Sequence, residues 1–451
     1  QEDRQTMQPN LPFSGSPLLL LLFAAAPAPA IQLTPARALP VARTASFSAA
    51  ALTAAAGRRS RTSQPCCVYS MNQQSDVSSP GAVRLYRGRR VLAGRLGQSS
   101  SDAVDHGLNA SSINVAVLGG GSFGTAMSHV LGRKGVNVTL VVRQETVAAS
   151  INENGTNTAH QSHVQLPQQV RATTDAAAAF ADAHFIFHAV PVQFTRDALA
   201  KVSHLIPPGV PVISLSKGIE TSSLMLMAEV LEDCLGSERP LAFLSGPAFA
   251  SEIAEGLVTA VTIASADREL ANDLMELLAS TNFRALYSPD VVGVEVGGAV
   301  KNVIAIAAGM CEGLGLGTNA MAALVTRGCT EMRKLVVVCG GEPSTVFGLS
   351  GVGDTFGTCF GPLSRNRQVG MRLGRGETLE EILASSSEVA EGVATSRAIT
   401  KLVEKRVKGY RRDLKYPILF GVAAILDGKI TPREGLERLM EMPLRVEDFS
   451  R

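Results

Sequence analysis

The sequence of 451 residues contains no tryptophan and few other aromatic residues, with 16 Phe and 5 Tyr. Proteins that stack nucleic-acid bases need exposed aromatic rings, so this composition argues against a base-stacking surface. A strong excess of one charge is also missing, because 42 Lys and Arg stand against 40 Asp and Glu. The net charge of +2 argues against a nucleic-acid-binding platform and gives no electrostatic indication of a partner.

Cysteines in C-x-x-C pairs or at the spacing of metal ligands are absent as well. The seven cysteines include no C-x-x-C pair, and they comprise an adjacent pair near the N terminus and five single residues: Cys66, Cys67, Cys234, Cys311, Cys329, Cys339 and Cys359. An odd, unpatterned set predicts reduced thiols in a reducing compartment, and we expect no metal site.

Acidic residues are missing between Arg4 and Ser75. Within this segment, "SPLLLLLFAAAPAPA" holds an apolar run that is shorter than the roughly 20 residues a membrane-spanning helix needs, and it is typical of a signal peptide. The following "RALPVARTASFSAAALTAAAGRRSRTS" is rich in Arg, Ser and Ala, as transit peptides are. We therefore predict that residues 1–110 are a disordered extension with bipartite targeting to a plastid bounded by additional membranes.

Two alternatives for this extension stay open. It could be a low-complexity tail without a targeting role, which would leave the protein in the cytoplasm, or a plain mitochondrial or secretory signal. Because the sequence begins with Gln1, we also expect the natural chain to start further upstream.

A dinucleotide-binding fold is predicted by "INVAVLGGGSFGTAMSHVLGRKGVNVTLVVR". The apolar run Ile113–Leu118 predicts a buried strand, Gly119, Gly121 and Gly124 follow it, and a helix-like segment leads to a second strand. Glycines at this spacing permit a tight turn, let the backbone approach a pyrophosphate, and let the helix pack on the sheet, with its N-terminal N–H groups toward the phosphates. The alternative is a glycine-rich turn with a structural role alone.

The acidic residue that usually follows about 20 positions later, and binds the ribose 2′-hydroxyl of NAD, is missing. Arg143 ends the second predicted strand instead. An arginine at this point is suited to a 2′-phosphate, so the sequence admits NADP without excluding NAD. Alternatively, Arg143 is a solvated residue at the end of a strand.

Four further short apolar segments predict strands, namely "AHFIFHAVP", "VPVISLSKG", "PLAFLSGP" and "TAVTIAS". Because strand ends line the ligand crevice of such sheets, we expect Val190-Pro191, Lys217-Gly218 and Gly246-Pro247 near the site. We interpret His188 as a core histidine rather than a catalytic one.

Helical periodicity replaces the strand pattern after Pro289, with apolar spacings typical of helices in residues 290–312, 318–339, 389–405 and 417–427. The sequence therefore predicts an α/β fold class: a Rossmann-like NAD(P)-binding domain over residues 111–299, followed by an all-α substrate-binding and catalytic domain over residues 300–451.

A lysine stands in an apolar helical segment, "VEVGGAVKNVIAIAAGM". The helical neighbours of Lys301 are Gly297, Gly298, Ile304 and Ala305, none of which is acidic. We expect Gly297, Gly298, Ala305 and Ala308 to leave a bare strip on which substrate and cofactor lie. A desolvated lysine there is suited to proton transfer. The alternative is a lysine that extends to the protein surface.

A second constellation is "LSGVGDTFGTCFGPLSRNRQVGMRLGRG". We expect Asp354 to lie in a glycine-rich loop, and Ser364 to cap a helix that opens with Arg365 and Asn366. A helix start combined with a guanidinium group forms a phosphate site, whereas the alternative is an Arg-rich surface helix. Glu391 is predicted at another helix start, where by itself it would be a cap or a solvated charge.

With these segments in this order, the sequence resembles the NAD(P)-dependent glycerol-3-phosphate dehydrogenases of the bacterial and plastid type. The resemblance begins at about Ile113 and rests on "GGGSFGTA", "SKGIE", "SGPAFASE", "GGAVKNVIAIAAGM", "VTRG", "GVGDTFGTC" and "SRNRQVGMRLGRG". It implies reduction of dihydroxyacetone phosphate to sn-glycerol 3-phosphate for glycerolipid synthesis, NAD or NADP as cofactor, and a homodimer. It implies neither a nucleic-acid partner nor a transmembrane segment in the mature chain.

The resemblance also implies roles for individual residues. Lys301 would be the general acid and base, supported by Asn302, Asp354 and Thr358. The substrate would contact Lys217, Gly246, Ser364, Arg365 and Asn366. The dinucleotide would contact Gly119, Gly121, Ser122, Phe123, Gly124, Arg143, Lys217, Ala250, Arg365, Val389 and Glu391. In "SGPAFA", Ala248 replaces the usual Ser or Thr of the family, so one hydroxyl contact is lost.

Two other functions stay open. A β-hydroxyacid dehydrogenase has the same architecture and also carries a Lys–Asn pair on a helix after the nucleotide domain, but the cluster from Ser364 to Asn366 argues against it. A non-catalytic NAD(P) redox sensor would not need Lys301, Asp354 and Arg365 together.

Overall fold

A computed structural model describes residues 110–386, 390–409 and 411–443. The predicted targeting extension, up to residue 109, lies outside the described residues, as does Val389. Within the described part the cysteines are free thiols.

Eight strands form one sheet. Their bounds are β1 Asn114–Leu118, β2 Asn137–Val141, β3 Val170–Thr173, β4 Phe185–His188, β5 Val212–Ser214, β6 Leu241–Ser245, β7 Thr259–Ala264 and β8 Phe283–Ser288. Strands β1, β2 and β4 to β7 confirm the six predicted ones. The sequence analysis missed β3 and β8, which have fewer buried positions than the central strands.

The strand order is β3-β2-β1-β4-β5-β6-β7-β8, and every neighbouring pair is parallel except β6 and β7. The order reverses direction beside β1, which pairs with β2 on one side and with β4 on the other. In such sheets the crevice beyond the carboxyl ends of these central strands is the place for a ligand.

Seven helices within residues 110–290 accompany the sheet. They are α1 Ser122–Arg133, α2 Glu145–Asn154, α3 Ala176–Ala181, α4 Thr195–Val202, α5 Met227–Leu235, α6 Ala250–Ala254 and α7 Arg268–Leu278. Two separate apolar clusters contain alternate residues of the central strands: Phe185 and Phe187 belong to one, and Ile186 to the other. This alternation is expected for a sheet that is covered on both faces.

The chain from residue 291 onward is helical. Its described helices are α8 Val291–Gly313, α9 Gly317–Cys339, α10 Asp354–Phe360, α11 Arg365–Gly374, α12 Leu379–Ala384, α13 Glu391–Arg406, α14 Arg412–Lys415, α15 Pro417–Leu426 and α16 Pro432–Met440. The sheet followed by these helices confirms the predicted fold class.

Helix α8 is the central helix of this region. Its length and mean hydropathy of 1.6 would suit a membrane span, but 89% of its apolar window is buried inside the protein. Helices α9, α11, α13 and α15 contribute to the same apolar core. The predicted domain boundary at residues 299 and 300 falls inside α8, and the exact division into domains stays a prediction.

Candidate active site

The centre of the site is a buried carboxylate between two lysines. Lys301, in the middle of α8, places its Nζ atom 3.0 Å from Oδ1 of Asp354. Lys217, which follows β5, places its Nζ atom 2.6 Å from Oδ2 of the same carboxylate. The Lys217 ammonium also donates to the carbonyl oxygen of Gly246 at 2.9 Å, at the end of β6. Segments far apart in the sequence therefore bring two ammonium groups to one carboxylate.

Asp354 begins a helix, so the predicted loop was wrong. It is the first residue of α10 and directly follows a π-helical turn, Leu349–Gly353. The glycines around it serve close packing rather than loop freedom: a Cβ atom on Gly351 would lie 2.0 Å from the carbonyl oxygen of Val346. Glycine is therefore required at this position of the turn. The glycine-rich composition had predicted a loop, because glycine is also common in loops.

Thr358 joins the lysine to the carboxylate. It lies one helical turn after Asp354, and its hydroxyl oxygen accepts a hydrogen bond from Nζ of Lys301 at 2.8 Å. The same hydroxyl group donates to Oδ1 of Asp354 at 3.2 Å. All three side chains are buried, and these contacts fix the position of the ammonium group.

The electrostatics of the cluster follow from two cations around one anion. Burial alone would raise the pKa of Asp354, but Lys217 and Lys301 outweigh it, and the pKa lies below its usual value. Burial lowers the pKa of Lys217, an effect that Asp354 opposes and Lys301 reinforces. Two lysines thus face one carboxylate in a buried place, an arrangement that is suited to an anionic or strongly polarised ligand.

The glycine strip beside Lys301 is filled by protein. A Cβ atom on Gly297 would lie 2.9 Å from the carbonyl oxygen of Ser350, and one on Gly298 would lie 2.8 Å from Oγ of Ser245. The expectation that substrate and cofactor lie across these glycines is therefore wrong. The glycines instead let the π-helical turn and the end of β6 approach α8 closely, which brings Asp354 within reach of Lys301.

Asn302 connects the lysine helix to two helix starts. Its Oδ1 atom accepts from Nδ2 of Asn366 at 2.9 Å, and Oδ1 of Asn366 accepts from the backbone N–H of Gly392 at 3.0 Å. Both asparagines are buried. Since Asn366 lies in the first turn of α11 and Gly392 in that of α13, this chain of bonds fixes both helix starts relative to α8.

The start of α11 matches the prediction. Ser364 is its N-cap, and the Ser364 side chain accepts from the backbone N–H of Arg367. The first turn of α11 contains no acidic residue, and Arg365 is its exposed first residue. A capped helix start with an arginine at its first position has the chemistry of a phosphate site.

Glu391 is the first residue of α13, as predicted. Burial raises the pKa of Glu391, while Arg365, Lys301 and Lys217 each oppose that rise through their charges. The charges of these three cations therefore favour the ionised form of the Glu391 carboxyl group.

The glycine-rich turn lies between β1 and α1. Gly119 has φ +114°, and a Cβ atom there would lie 2.8 Å from the carbonyl oxygen of Ala189. A Cβ atom on Gly124 would lie 2.1 Å from the carbonyl oxygen of Gly119, whereas one on Gly121 would meet nothing within 4 Å. The turn is thus closed toward the protein and open at Gly121, directly before a helix whose N-cap carries no side-chain hydrogen bond. This arrangement fits a dinucleotide pyrophosphate.

The turn and the lysine cluster meet at the end of β4. The backbone of Ala189 packs against Gly119. The next carbonyl group, that of Val190, accepts a hydrogen bond from the Ser216 hydroxyl at 2.5 Å, and Ser216 directly precedes Lys217. A molecule that binds at the turn therefore lies on the same edge of the sheet as the lysine.

The other residues predicted to contact the dinucleotide are more dispersed. Ser122 and Phe123 open α1, and Ala250 opens α6, with Phe123 and Ala250 packed against the same apolar core. Arg143 lies just after β2 and is exposed. Ala248 is partly buried against that core. His188 is fully buried, and burial lowers its pKa to about 4, in agreement with its interpretation as a neutral core histidine.

One buried polar residue beside the glycine-rich turn was missed. Asn157, in the segment after α2, is completely buried and donates from Nδ2 to the carbonyl oxygen of Gly120 at 3.0 Å. Its position in "NENGTNTAHQ" carries no periodic or motif signal. A pattern analysis therefore had no means to find it.

Comparison with family models gives two matches. The N-terminal model of NAD-dependent glycerol-3-phosphate dehydrogenase matches residues 114–271, and the C-terminal model matches residues 290–437. Together they cover strands β1 to β7 and the helical region from residue 290 to residue 437, in the order that the structure shows.

Individual proteins give the same result. The chain is 49% identical over 332 residues to chloroplastic glycerol-3-phosphate dehydrogenase [NAD(+)] 2 of Arabidopsis thaliana, covering 73% of this chain and 78% of the plant protein. It is 44% identical to glycerol-3-phosphate dehydrogenase [NAD(P)+] of Nitratidesulfovibrio vulgaris, covering 74% of this chain and all of that protein. The crystal structure of glycerol-3-phosphate dehydrogenase from Coxiella burnetii superposes with a TM-score of 0.68 at 35% identity, covering 73% of this chain and 99% of that one.

Proposed function

The chain belongs to the NAD-dependent glycerol-3-phosphate dehydrogenase family, and we propose that it interconverts dihydroxyacetone phosphate and sn-glycerol 3-phosphate with NADH or NADPH. The observation that carries this proposal is the buried Lys301–Asp354–Lys217 cluster, which the chain of hydrogen bonds from Asn302 through Asn366 joins to the start of α11, where Arg365 stands. A ketone that carries a phosphate needs both a proton donor and an anion site.

The residues of the glycine-rich turn fit the dinucleotide. Gly121 leaves the turn open, and the first turn of α1 contains no acidic residue that would repel a pyrophosphate. Gly119, Gly121, Ser122, Phe123 and Gly124 would hold that group. When bound, the reduced nicotinamide supplies the hydride that reduces the ketone carbon.

In this proposal Lys301 is the proton donor. The ammonium group polarises the carbonyl oxygen of dihydroxyacetone phosphate and gives it a proton as the oxygen becomes an alkoxide. In the reverse direction the neutral amine takes the proton from the hydroxyl group. Asp354 and Thr358 hold the Nζ atom in place, and Asn302 anchors the neighbouring backbone to α11 through Asn366.

The substrate's phosphate would lie at the start of α11. Arg365 supplies a guanidinium group that is suited to two phosphate oxygens, and the helix start supplies backbone N–H groups. Lys217 and Gly246, which are hydrogen-bonded to each other, would contact the substrate from the side of the sheet. The contacts to Ser364 and Asn366 are then mainly structural, because one caps α11 and the other bonds to Asn302.

The proposal also covers the remaining cofactor contacts, the oligomeric state and the location in the cell. Arg143, Ala250, Val389 and Glu391 would contact the dinucleotide. We also propose a homodimer, import into a plastid through the N-terminal extension, and use of the product in glycerolipid synthesis. The family membership supports these points, and the plant relative is named as chloroplastic.

A steady-state assay tests the proposed function. The chain from Ala110 onward is incubated with dihydroxyacetone phosphate and either NADH or NADPH, and oxidation of the cofactor is followed by absorbance. We expect turnover with at least one cofactor. Preferential turnover of 3-hydroxy acids would favour a β-hydroxyacid dehydrogenase, and dinucleotide binding without any turnover would favour a redox sensor.

A further inference from the structure

The peptide group between Gly120 and Gly121 can rotate more freely than most, and a hydrogen bond to its carbonyl oxygen restrains that rotation. Glycine adopts both signs of φ at similar cost, so a peptide between two glycines rotates more easily than any other. A rotation here would change which backbone groups the turn presents to a ligand. Any contact that fixes the carbonyl group of Gly120 therefore controls the turn.

Asn157 makes that contact. Its Nδ2 atom donates to the carbonyl oxygen of Gly120 at 3.0 Å and to Oγ1 of Thr125 at 2.8 Å. Its Oδ1 atom accepts from the backbone N–H groups of Ala159 and His160 at 3.2 and 3.1 Å. The side chain is completely buried. Both donors and both acceptor sites of the amide are thus in use, which leaves it one orientation.

The geometry of a peptide carries this restraint to the ligand side. In a planar trans peptide the C=O and N–H bonds point in opposite directions. Because Asn157 holds the carbonyl oxygen of Gly120 toward the protein, the N–H group of Gly121 points to the other side of the turn. At Gly121 the space is open, since a Cβ atom there would meet nothing within 4 Å.

We propose that Asn157 is a positioning residue for the dinucleotide: it locks the Gly120–Gly121 peptide so that the Gly121 N–H group stays directed at the pyrophosphate. This inference rests on the proposed function only in so far as NAD(P) is the ligand of the turn. The Asn157 amide is buried and bonds only to protein groups among the described residues. We therefore expect its effect to fall on cofactor affinity and not on the proton transfer by Lys301.

The variant Asn157→Asp removes the hydrogen bond to Gly120 and keeps the bonds from Ala159 and His160. The carboxylate keeps one oxygen for the N–H groups of Ala159 and His160, but the other oxygen cannot donate to Gly120. Asn152→Asp is the control. Asn152 is exposed, unlike Asn157, but its side chain also hydrogen-bonds the backbone: Nδ2 donates to the carbonyl oxygen of Ala172 at 2.8 Å, and Oδ1 accepts from the Ala172 N–H at 2.9 Å. These bonds lead to β3 and not to the glycine-rich turn.

The experiment measures NADH and NADPH binding to the full chain without substrate, by isothermal titration calorimetry. Thermal unfolding and steady-state kinetics are measured on the same samples. We expect Asn157→Asp to raise both dissociation constants by about 10- to 100-fold, because the released peptide group spends only a fraction of its time in the orientation that binds the pyrophosphate. The value of kcat at saturating cofactor and the KM for dihydroxyacetone phosphate should stay within about twofold, because Lys301 and Arg365 are unchanged. Asn152→Asp should leave both dissociation constants unchanged, whatever its effect on the melting temperature.

Equal dissociation constants for Asn157→Asp and the wild type would overturn the inference. An equal loss of NADH and NADPH affinity in Asn157→Asp and Asn152→Asp would also overturn it. If Asn157→Asp does not fold, Asn157→Ala gives the same comparison, because it removes the donor without adding a charge. A wild-type chain that binds NADH but does not turn over dihydroxyacetone phosphate overturns the proposed reaction alone. A wild-type chain that binds neither dinucleotide overturns both.

Discussion

The Nζ atom of Lys301 lies 3.0 Å from the Oδ1 atom of Asp354, although the two residues belong to different helices and no acidic residue stands near Lys301 on its own helix. This ion pair explains how a lysine is accommodated on the apolar helix α8, because burial of an unpaired charge costs several kcal/mol. The carboxylate is shared with Lys217, so the loss of one lysine leaves it paired.

Replacement of the proposed proton donor, Lys301→Met, should lower kcat by about 10² to 10⁴, the usual contribution of a general acid and base. The fold should survive, since methionine has a similar shape and Asp354 keeps its bond to Lys217. Steady-state kinetics and NADH titration measure the two effects, and the NADH dissociation constant should change little. Lys401→Met, an exposed change on α13, is the control, and a near wild-type kcat in Lys301→Met would remove the lysine from the mechanism.

Removal of the guanidinium group at the α11 start, Arg365→Ala, should raise the KM for dihydroxyacetone phosphate by about 10- to 100-fold through the loss of charge-assisted bonds to phosphate. The matched control is Arg372→Ala on the same helix, because Arg372 pairs with Glu377 instead. Initial-rate measurements over a range of substrate concentrations make the comparison. Similar KM values for the two variants would contradict a phosphate site at Arg365.

The role of Arg143, which lies just after β2, can be tested by measuring cofactor preference. If Arg143 contacts a 2′-phosphate, Arg143→Ala should raise the KM for NADPH by about tenfold or more and leave that for NADH nearly unchanged. Arg171→Ala, on the neighbouring strand β3 and also exposed, serves as the control. Equal effects on the two cofactors would show that Arg143 does not discriminate between them.

A buried carboxylate on α8 should make stability depend on pH. Burial raises the pKa of Glu295 from its ordinary 4.5 to about 8, and its Oε2 atom has no hydrogen-bond partner among the described residues. A raised pKa in the folded state contributes stability below about pH 4.5 that is lost as the pH rises through about 8. Within this window the free energy of unfolding should fall by up to about 1.4 kcal/mol per pH unit.

The variant Glu295→Gln lacks this titration, so its stability relative to the wild type should increase from pH 5 to pH 8. Urea unfolding at several pH values in that range measures the difference. Glu404→Gln, an exposed change on α13, should give a constant difference. A constant difference for Glu295→Gln as well would contradict the raised pKa.

The N-terminal extension should be dispensable for catalysis. A chain that begins at Ala110 keeps the whole glycine-rich turn, so its kcat and KM should match those of the full chain. A fluorescent reporter fused to residues 1–110 should enter the plastid of an alga whose plastid has additional membranes. A cytosolic reporter would contradict the targeting prediction, and a mitochondrial one would favour the alternative signal.

The sequence by itself determined the features that depend on neighbouring residues. The turn from Gly119 to Gly124, the Ser364 cap and the start of α13 at Glu391 were predicted correctly, because a glycine spacing, a capping hydroxyl and an apolar period act over a few positions. The central strands were predicted for the same reason. Strands β3 and β8 were missed since their partly exposed residues give a weaker apolar signal.

Only the tertiary structure decided which distant groups meet. It placed Asp354 on a helix and against Lys301, it filled the space beside Gly297 and Gly298 with protein, and it brought Asn157 to the carbonyl oxygen of Gly120. These contacts join segments whose separation along the chain contains no information about their distance in space. The packing of α8 against the π-helical turn and the sheet sets that distance, and close packing of this kind depends on every side chain in the contact at once.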